Sequence, residues 1–170
     1  LMSFLKNYLH KVPEDEQASA AIAYLAALDY LTQVAPDVAK AIVQELRDQR
    51  SNLKLIASEN FSSLAVQLSM GNLLTDKYAE GYPGKRYYPG NIFYDEIEII
   101  AQTRALKLFG LNPKEWSVNV QPYSGSPANL AVYTGLVPPG ETIMGMKLAS
   151  GGHLTHGHKV SATGKFWKSV

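Results

Sequence analysis

The 170 residues are 46% hydrophobic and 18% charged, with a formal net charge of +1, which excludes a disordered chain and gives no charged field for a nucleic acid or an anionic membrane. With no cysteine, there is no disulfide framework, thiolate zinc site or cysteine nucleophile. The apolar runs fall short of the ~20 residues of a membrane helix and no signal segment opens the chain, so the expected location is cytoplasmic.

Residues 15 to 34 are alanine-rich, and Ala18, Ile22, Leu25 and Leu28 fall at a helical spacing that buries one face. Pro36 and Asp37 open a second helix, because proline suits a first turn and a carboxylate faces the positive end of the dipole. Its expected buried stripe is Val38, Ile42 and Leu46. Leu55-Ile56-Ala57 then reads as strand or loop, ending at the polar cluster Ser58-Glu59-Asn60. The glycines and prolines of KYAEGYPGKRYYPGN, residues 77 to 91, exclude a regular helix or central strand.

Beyond this loop Phe93, Ile97, Ile100, Ala101, Ala105 and Leu108 repeat at three and four, with Gly110 as C-cap. Short strands are expected at 118 to 120 and 142 to 146, flanking a helix from about Ser126 to Gly135. Strand-helix-strand order builds parallel sheets, so the C-terminal half reads as α/β. The division expected is a helical arm over 1–75 and a larger domain starting at 76 and incomplete at 170. The start at Leu1 and the stop inside an apolar, strand-like run predict part of a longer polypeptide.

Three constellations carry polar chemistry. YSGSPAN, residues 123 to 129, lies between an expected strand and helix. Unpaired N–H groups, a glycine and two serine hydroxyls there suit an anion such as phosphate; equally, Ser126 caps the helix with Pro127 in its first turn, and no ligand is needed. GGHLTHGH, residues 151 to 158, holds three of the four histidines, but no neighbouring carboxylate or thiol completes a metal set, and no metal is expected. Its imidazoles either lie flat on an aromatic cofactor, with the glycine pair permitting close approach, or are solvated in a glycine-rich loop. Tyr78, Glu80, Tyr82, Lys85, Arg86, Tyr87 and Tyr88 crowd the third. Flat rings with hydroxyls and a carboxylate suit a site handling protons, or a subunit interface, or both.

Four strings in order, LIASEN (55 to 60), KYAEGYPGKRYY (77 to 88), VQPYSGSPANLAVYTGL (120 to 136) and GGHLTHG (151 to 157), resemble serine hydroxymethyltransferase. The resemblance covers roughly residues 36 to 165 and leaves the first 30 or so as an extension. It implies the first part of a fold-type I pyridoxal-phosphate large domain with a mainly parallel sheet. It also implies a cytoplasmic enzyme that moves the serine hydroxymethyl carbon to tetrahydrofolate, giving glycine and 5,10-methylenetetrahydrofolate. By resemblance, Ser124, Gly125 and Ser126 hold the phosphate of pyridoxal 5'-phosphate, and His153 stacks on its ring. Tyr78 reaches the phosphate in the neighbouring subunit of a homodimer with composite sites, where Ser58 and Tyr88 help hold the amino acid. Glu80 exchanges a proton beside the serine hydroxyl and the folate, and Tyr87, Leu148, Gly152 and Leu154 line the folate pocket.

Tyr123 and Pro127 stand where many bacterial members carry histidine and glutamine, and both variants occur in the family. The lysine that binds the cofactor covalently, the aspartate for the pyridine nitrogen and the arginine for the substrate carboxylate are expected beyond Val170. Two rival readings remain: another fold-type I enzyme, such as an aminotransferase or threonine aldolase, against which the tyrosine loop argues, and a fragment inactive alone that serves as a folding or assembly half.

Overall fold

The computed structural model describes residues 3–170 and separates into two compact units, Leu1–Lys77 and Tyr78–Val170. In the first unit, α1 (Phe4–Lys11), α2 (Ser19–Val34) and α3 (Pro36–Ser51) pack in succession, followed by the short α4 (Leu64–Met70). Helix α1 was not apparent in the sequence. Its first amides are satisfied partly from outside the helix: the Asp29 carboxylate on α2 accepts from the Phe4 N–H at 2.7 Å and the Leu5 N–H at 3.2 Å, and the Ser3 hydroxyl donates to it. That hydroxyl, with the two amides and Lys6, holds Asp29 below the ordinary carboxylate range against opposing desolvation.

Helix α2 turns most of the expected face inward, with Leu28 buried and Ile22 and Leu25 half-buried, but Ala18 is its exposed N-cap. Helix α3 starts at Pro36 as expected, but Val38, Ile42 and Leu46 are 48%, 37% and 36% exposed. Its buried residue is Ala39, because a small side chain permits the closer approach to α2. Residues 53 to 56 form neither strand nor helix.

The second unit opens with a two-residue antiparallel hairpin, β1 (Gly81–Tyr82) and β2 (Lys85–Arg86), inside the tyrosine loop. Gly81 is required there: its φ is +103°, and a Cβ would stand 2.5 Å from the Lys85 carbonyl oxygen. Helix α5 (Ile92–Leu108) follows, and Gly110 continues the chain at φ +65°. Helix α6 (Gly125–Leu136) leads to β3 (Thr142–Ile143); α7 (Ala162–Phe166) then precedes β4 (Lys168–Ser169), which pairs with β3 in parallel, Thr142 opposite Lys168 and Ile143 opposite Ser169. The expected strand at 118 to 120 does not form. Strand geometry needs a neighbouring backbone to bond with, and the pattern Val118-Asn119-Val120 cannot supply one. Of the expected parallel sheet, the described residues contain this one short pair.

Among the described residues, the buried apolar ones are Leu28, Ala39, Ile143 and Trp167. The accessible surface is 13751 Å² for 18.7 kDa, against about 8,300 Å² for one domain of that mass, or about 10,000 Å² for two equal domains sharing it. Helix α5 illustrates the excess. Phe93, Ile97 and Leu108 of its apolar stripe are 71%, 49% and 80% exposed, whereas Glu98 is buried.

Candidate active site

The tyrosine loop is fastened from beneath by Arg86. Its Nη1 donates to the carbonyls of Ala79 at 2.8 Å and Gly81 at 2.7 Å, and the Tyr87 N–H donates to the Glu80 carbonyl at 3.1 Å. Three consecutive carbonyls centred on Glu80 are thereby satisfied, which fixes the backbone that carries this carboxylate. The guanidinium is itself held by α5: Nε reaches Asp95 at 2.7 Å, Nη2 reaches Glu98 at 2.6 Å, and the Tyr94 ring lies 5.6 Å from its carbon. Desolvation opposes the charge of Arg86, but bonds to Glu98 and Asp95 outweigh it and raise its proton affinity. Asp95 is held below the ordinary range, first by the Gly84 N–H and then by Arg86.

Gln121 ties this assembly to the segment leading into α6, since its amide nitrogen donates to the Gly81 carbonyl at 2.8 Å and to Glu98 at 2.9 Å. Asn91, buried, donates to the carbonyls of Tyr78 and Tyr88 at 3.1 Å each, and the two tyrosine rings meet edge to face with centroids 5.2 Å apart. Tyr78, Glu80, Tyr87 and Tyr88 all remain exposed. The burial that would suit Glu80 to proton handling is therefore not supplied within this chain.

At the other end of the segment, Ser124 is the N-cap of α6 and its hydroxyl makes no cap bond. The alternative reading that Ser126 caps the helix is corrected by two residues, to Ser124: Gly125 and Ser126 are already helical. Both contribute amides without intrahelical partners. A Cβ on Gly125 would meet nothing within 4 Å, and Ser124, Gly125 and Ser126 are all exposed. This is an open cradle of donors.

The histidine segment forms turns rather than a helix, so His153 and His156 share no helix face. Instead their rings meet edge-on at 5.8 Å, and His156 Nδ1 bonds the Tyr133 hydroxyl of α6 at 2.8 Å. His153 Nδ1 lies 2.6 Å from Thr155 Oγ1, which accepts from Asn129 of α6 at 2.8 Å. Both histidines are thus moored to the helix that begins at the cradle. The glycine pair has an internal reason. Gly151 has φ +94°, and a Cβ on Gly152 would fall 1.8 Å from the Met146 carbonyl oxygen. Leu148 and Leu154 are 49% and 40% exposed. Among the described residues, no group of three or more His, Asp or Glu is placed to hold a metal ion.

Ser58 lies in the first unit, exposed, in a polar groove of about 490 Å³ with Glu59, Asn60, Lys54 and Gln67. Sequence reasoning did not single out Asn91, Asp95, Glu98, Gln121, Asn129 or Thr155. For Asp95 and Glu98 a signal existed: two carboxylates three residues apart on a helix that is otherwise largely apolar.

A family model for serine hydroxymethyltransferase matches residues 31–170. The chain belongs to the serine hydroxymethyltransferase family. Similar proteins bearing that name include one from Caenorhabditis elegans, 52% identical over 148 residues, covering 84% of this chain and 29% of its own length. One from Acidothermus cellulolyticus is 54% identical over 140 residues, 82% of this chain and 32% of its own. The rabbit (Oryctolagus cuniculus) protein named as cytosolic is 55% identical over 139 residues, 79% of this chain and 29% of its own. The chain therefore spans about a third of the length of these serine hydroxymethyltransferases, and residues 1 to 30 precede the family match.

Proposed function

We propose that this chain is the N-terminal part of a pyridoxal-phosphate-dependent serine hydroxymethyltransferase, transferring the hydroxymethyl carbon of serine to tetrahydrofolate. The observation that carries this reading is the common mooring of two features on α6: an open donor cradle at its N-terminus and, through Asn129 and Thr155, the exposed ring of His153. The donor set fits the cofactor. Unpaired amides of Gly125 and Ser126 with two serine hydroxyls suit a phosphate, and His153 offers a flat face to an aromatic ring. When bound, pyridoxal phosphate supplies an electron sink, and the protein supplies orientation and proton control.

The roles proposed for the chain's own residues are those that the family resemblance implies. Ser124, Gly125 and Ser126 bind phosphate and thereby fix the position of the reacting carbon. Glu80, on a backbone locked by Arg86, holds and releases a proton beside the transferred carbon. Tyr78, Tyr87 and Tyr88 remain exposed beside it, which supports a homodimer in which Tyr78, Glu80, Tyr88 and Ser58 serve the partner's site. Closure of such a site would give Glu80 the burial that the chain alone does not. Tyr87, Leu148, Gly152 and Leu154 line the folate pocket. The lysine that anchors the cofactor belongs to the remaining length of the enzyme, so activity is a property of the complete polypeptide and these 170 residues alone are inactive. That one relative is named cytosolic supports a cytoplasmic enzyme, and a fold-type I large domain belongs to the same reading.

The complete polypeptide carrying this chain, titrated with pyridoxal phosphate and assayed with serine, is the test. Cofactor uptake with folate-dependent formation of glycine is expected. Failure to take up the cofactor, or amino transfer to a 2-oxo acid without need of folate, overturns the assignment.

A further inference from the structure

Asn129 stands three residues beyond Ser126 on α6, roughly 4.5 Å along the helix axis from the cradle. Its amide nitrogen donates to Thr155 Oγ1 at 2.8 Å. Thr155 Oγ1 lies 2.6 Å from His153 Nδ1, and the Thr155 backbone N–H reaches the same nitrogen at 3.2 Å.

One main-chain donor favours a single set of directions for these bonds. A peptide N–H can only donate, so Nδ1 of His153 is an acceptor and carries no proton. The Thr155 hydroxyl must then donate to Nδ1, which leaves Oγ1 to accept, and only the NH₂ face of the Asn129 amide can supply it. The amide orientation and the histidine tautomer follow together from one main-chain donor. Thr155 is buried at 9% exposure while His153 is exposed, so the ring is held along its Nδ1 edge although the residue reaches solvent.

We propose that Asn129 and Thr155 are positioning residues that hold His153 as the neutral Nε2–H tautomer, with its ring plane set before any cofactor arrives. The proposal rests on the reading of this site as one for pyridoxal phosphate. Because Asn129 and the cradle share a helix, the stacking ring and the phosphate donors move as one body. A neutral ring also stacks without placing a positive charge against an electron-poor pyridine.

The test uses the complete polypeptide, labelled with ¹⁵N-histidine and examined with and without pyridoxal phosphate. Long-range ¹H–¹⁵N correlations of His153 are expected to show a bare Nδ1 and a protonated Nε2 in both forms. Thr155→Val, which keeps the shape and the backbone N–H but removes the hydroxyl that links Asn129 to the ring, should leave Nδ1 bare yet loosen the ring and speed cofactor dissociation roughly tenfold, while Thr155→Ser keeps the wild-type rate. A wild-type His153 protonated at Nδ1 overturns the proposal whether or not any variant folds. So does a Thr155→Val protein that folds and keeps the wild-type dissociation rate. Failure of wild-type protein to bind pyridoxal phosphate would instead remove the functional reading, and the tautomer measured without cofactor would still decide this one.

Discussion

Arg86 and Glu98, twelve residues apart, meet at 2.6 Å between Nη2 and Oε2, with side chains only 5% and 6% exposed. This pair is the hinge pin of the candidate site. It joins the loop bearing Glu80 to α5, and through Gln121 it reaches the segment leading to the phosphate cradle.

Glu98→Gln keeps the shape and removes the charge. Loss of a shielded, charge-assisted hydrogen bond should lower stability by about 1.5–3 kcal/mol in denaturant unfolding. Hydrogen exchange at the Tyr87 amide, which closes on the Glu80 carbonyl, should accelerate. Unchanged exchange at Tyr87 would mean that the pair does not hold the loop.

Asp95 gives the loop a pH dependence of definite sign. Its folded pKa is depressed below the ordinary 3.8, chiefly by the Gly84 N–H and then by Arg86. A depressed carboxylate contributes stability above its unfolded value and loses it as pH falls through the folded value. The stability gap between wild type and Asp95→Asn should be constant at neutral pH and close below about pH 4. A gap that widens in acid would contradict the assignment.

Two glycines should separate folding from binding. Gly152→Ala drives a Cβ to 1.8 Å from the Met146 carbonyl oxygen, so about 1–3 kcal/mol or more of stability should be lost in thermal unfolding. Gly125→Ala meets open space and should fold as well as wild type or slightly better, since alanine is the better helix former. Its methyl group, however, stands at the cradle mouth, and pyridoxal phosphate affinity should fall. Equal loss of stability in both variants would refute the distinction.

Glu80→Gln in the complete polypeptide should retain pyridoxal phosphate, while folate-dependent serine turnover falls by roughly 10²–10⁴. Ser126→Ala should show the opposite order, with cofactor retention weakening first. Absorbance titration and steady-state rates distinguish them. Cofactor loss in Glu80→Gln would make that residue structural.

Mixing Tyr78→Phe subunits with Ser126→Ala subunits tests the composite site. If Tyr78 serves the partner, each mixed dimer regains one intact site, and activity should rise above that of either parent. Activity that stays at the mean of the two parents would count against the shared arrangement.

Sequence alone determined what depends on near neighbours. The periodicities of Ile22, Leu25 and Leu28 and of Phe93 to Leu108 gave α2 and α5, Pro36 marked the first turn of α3, and Gly110 the end of α5, because helix period, proline φ and glycine freedom act within a few residues. The four ordered strings likewise carried the family. Contacts between distant residues were decided only by the tertiary structure: Asp29 capping α1, Arg86 on Glu98, Gln121 on Gly81 across 40 residues, and Asn129 on Thr155 across 26. Such pairs form when packing brings chain segments together, and no local period records which donor will meet which acceptor. For the same reason, periodicity identified apolar stripes on α3 and α5 but not their coverage. Burial depends on a packing partner, and in this chain Val38, Ile42, Phe93 and Ile97 are left exposed while Ala39 and Glu98 are enclosed.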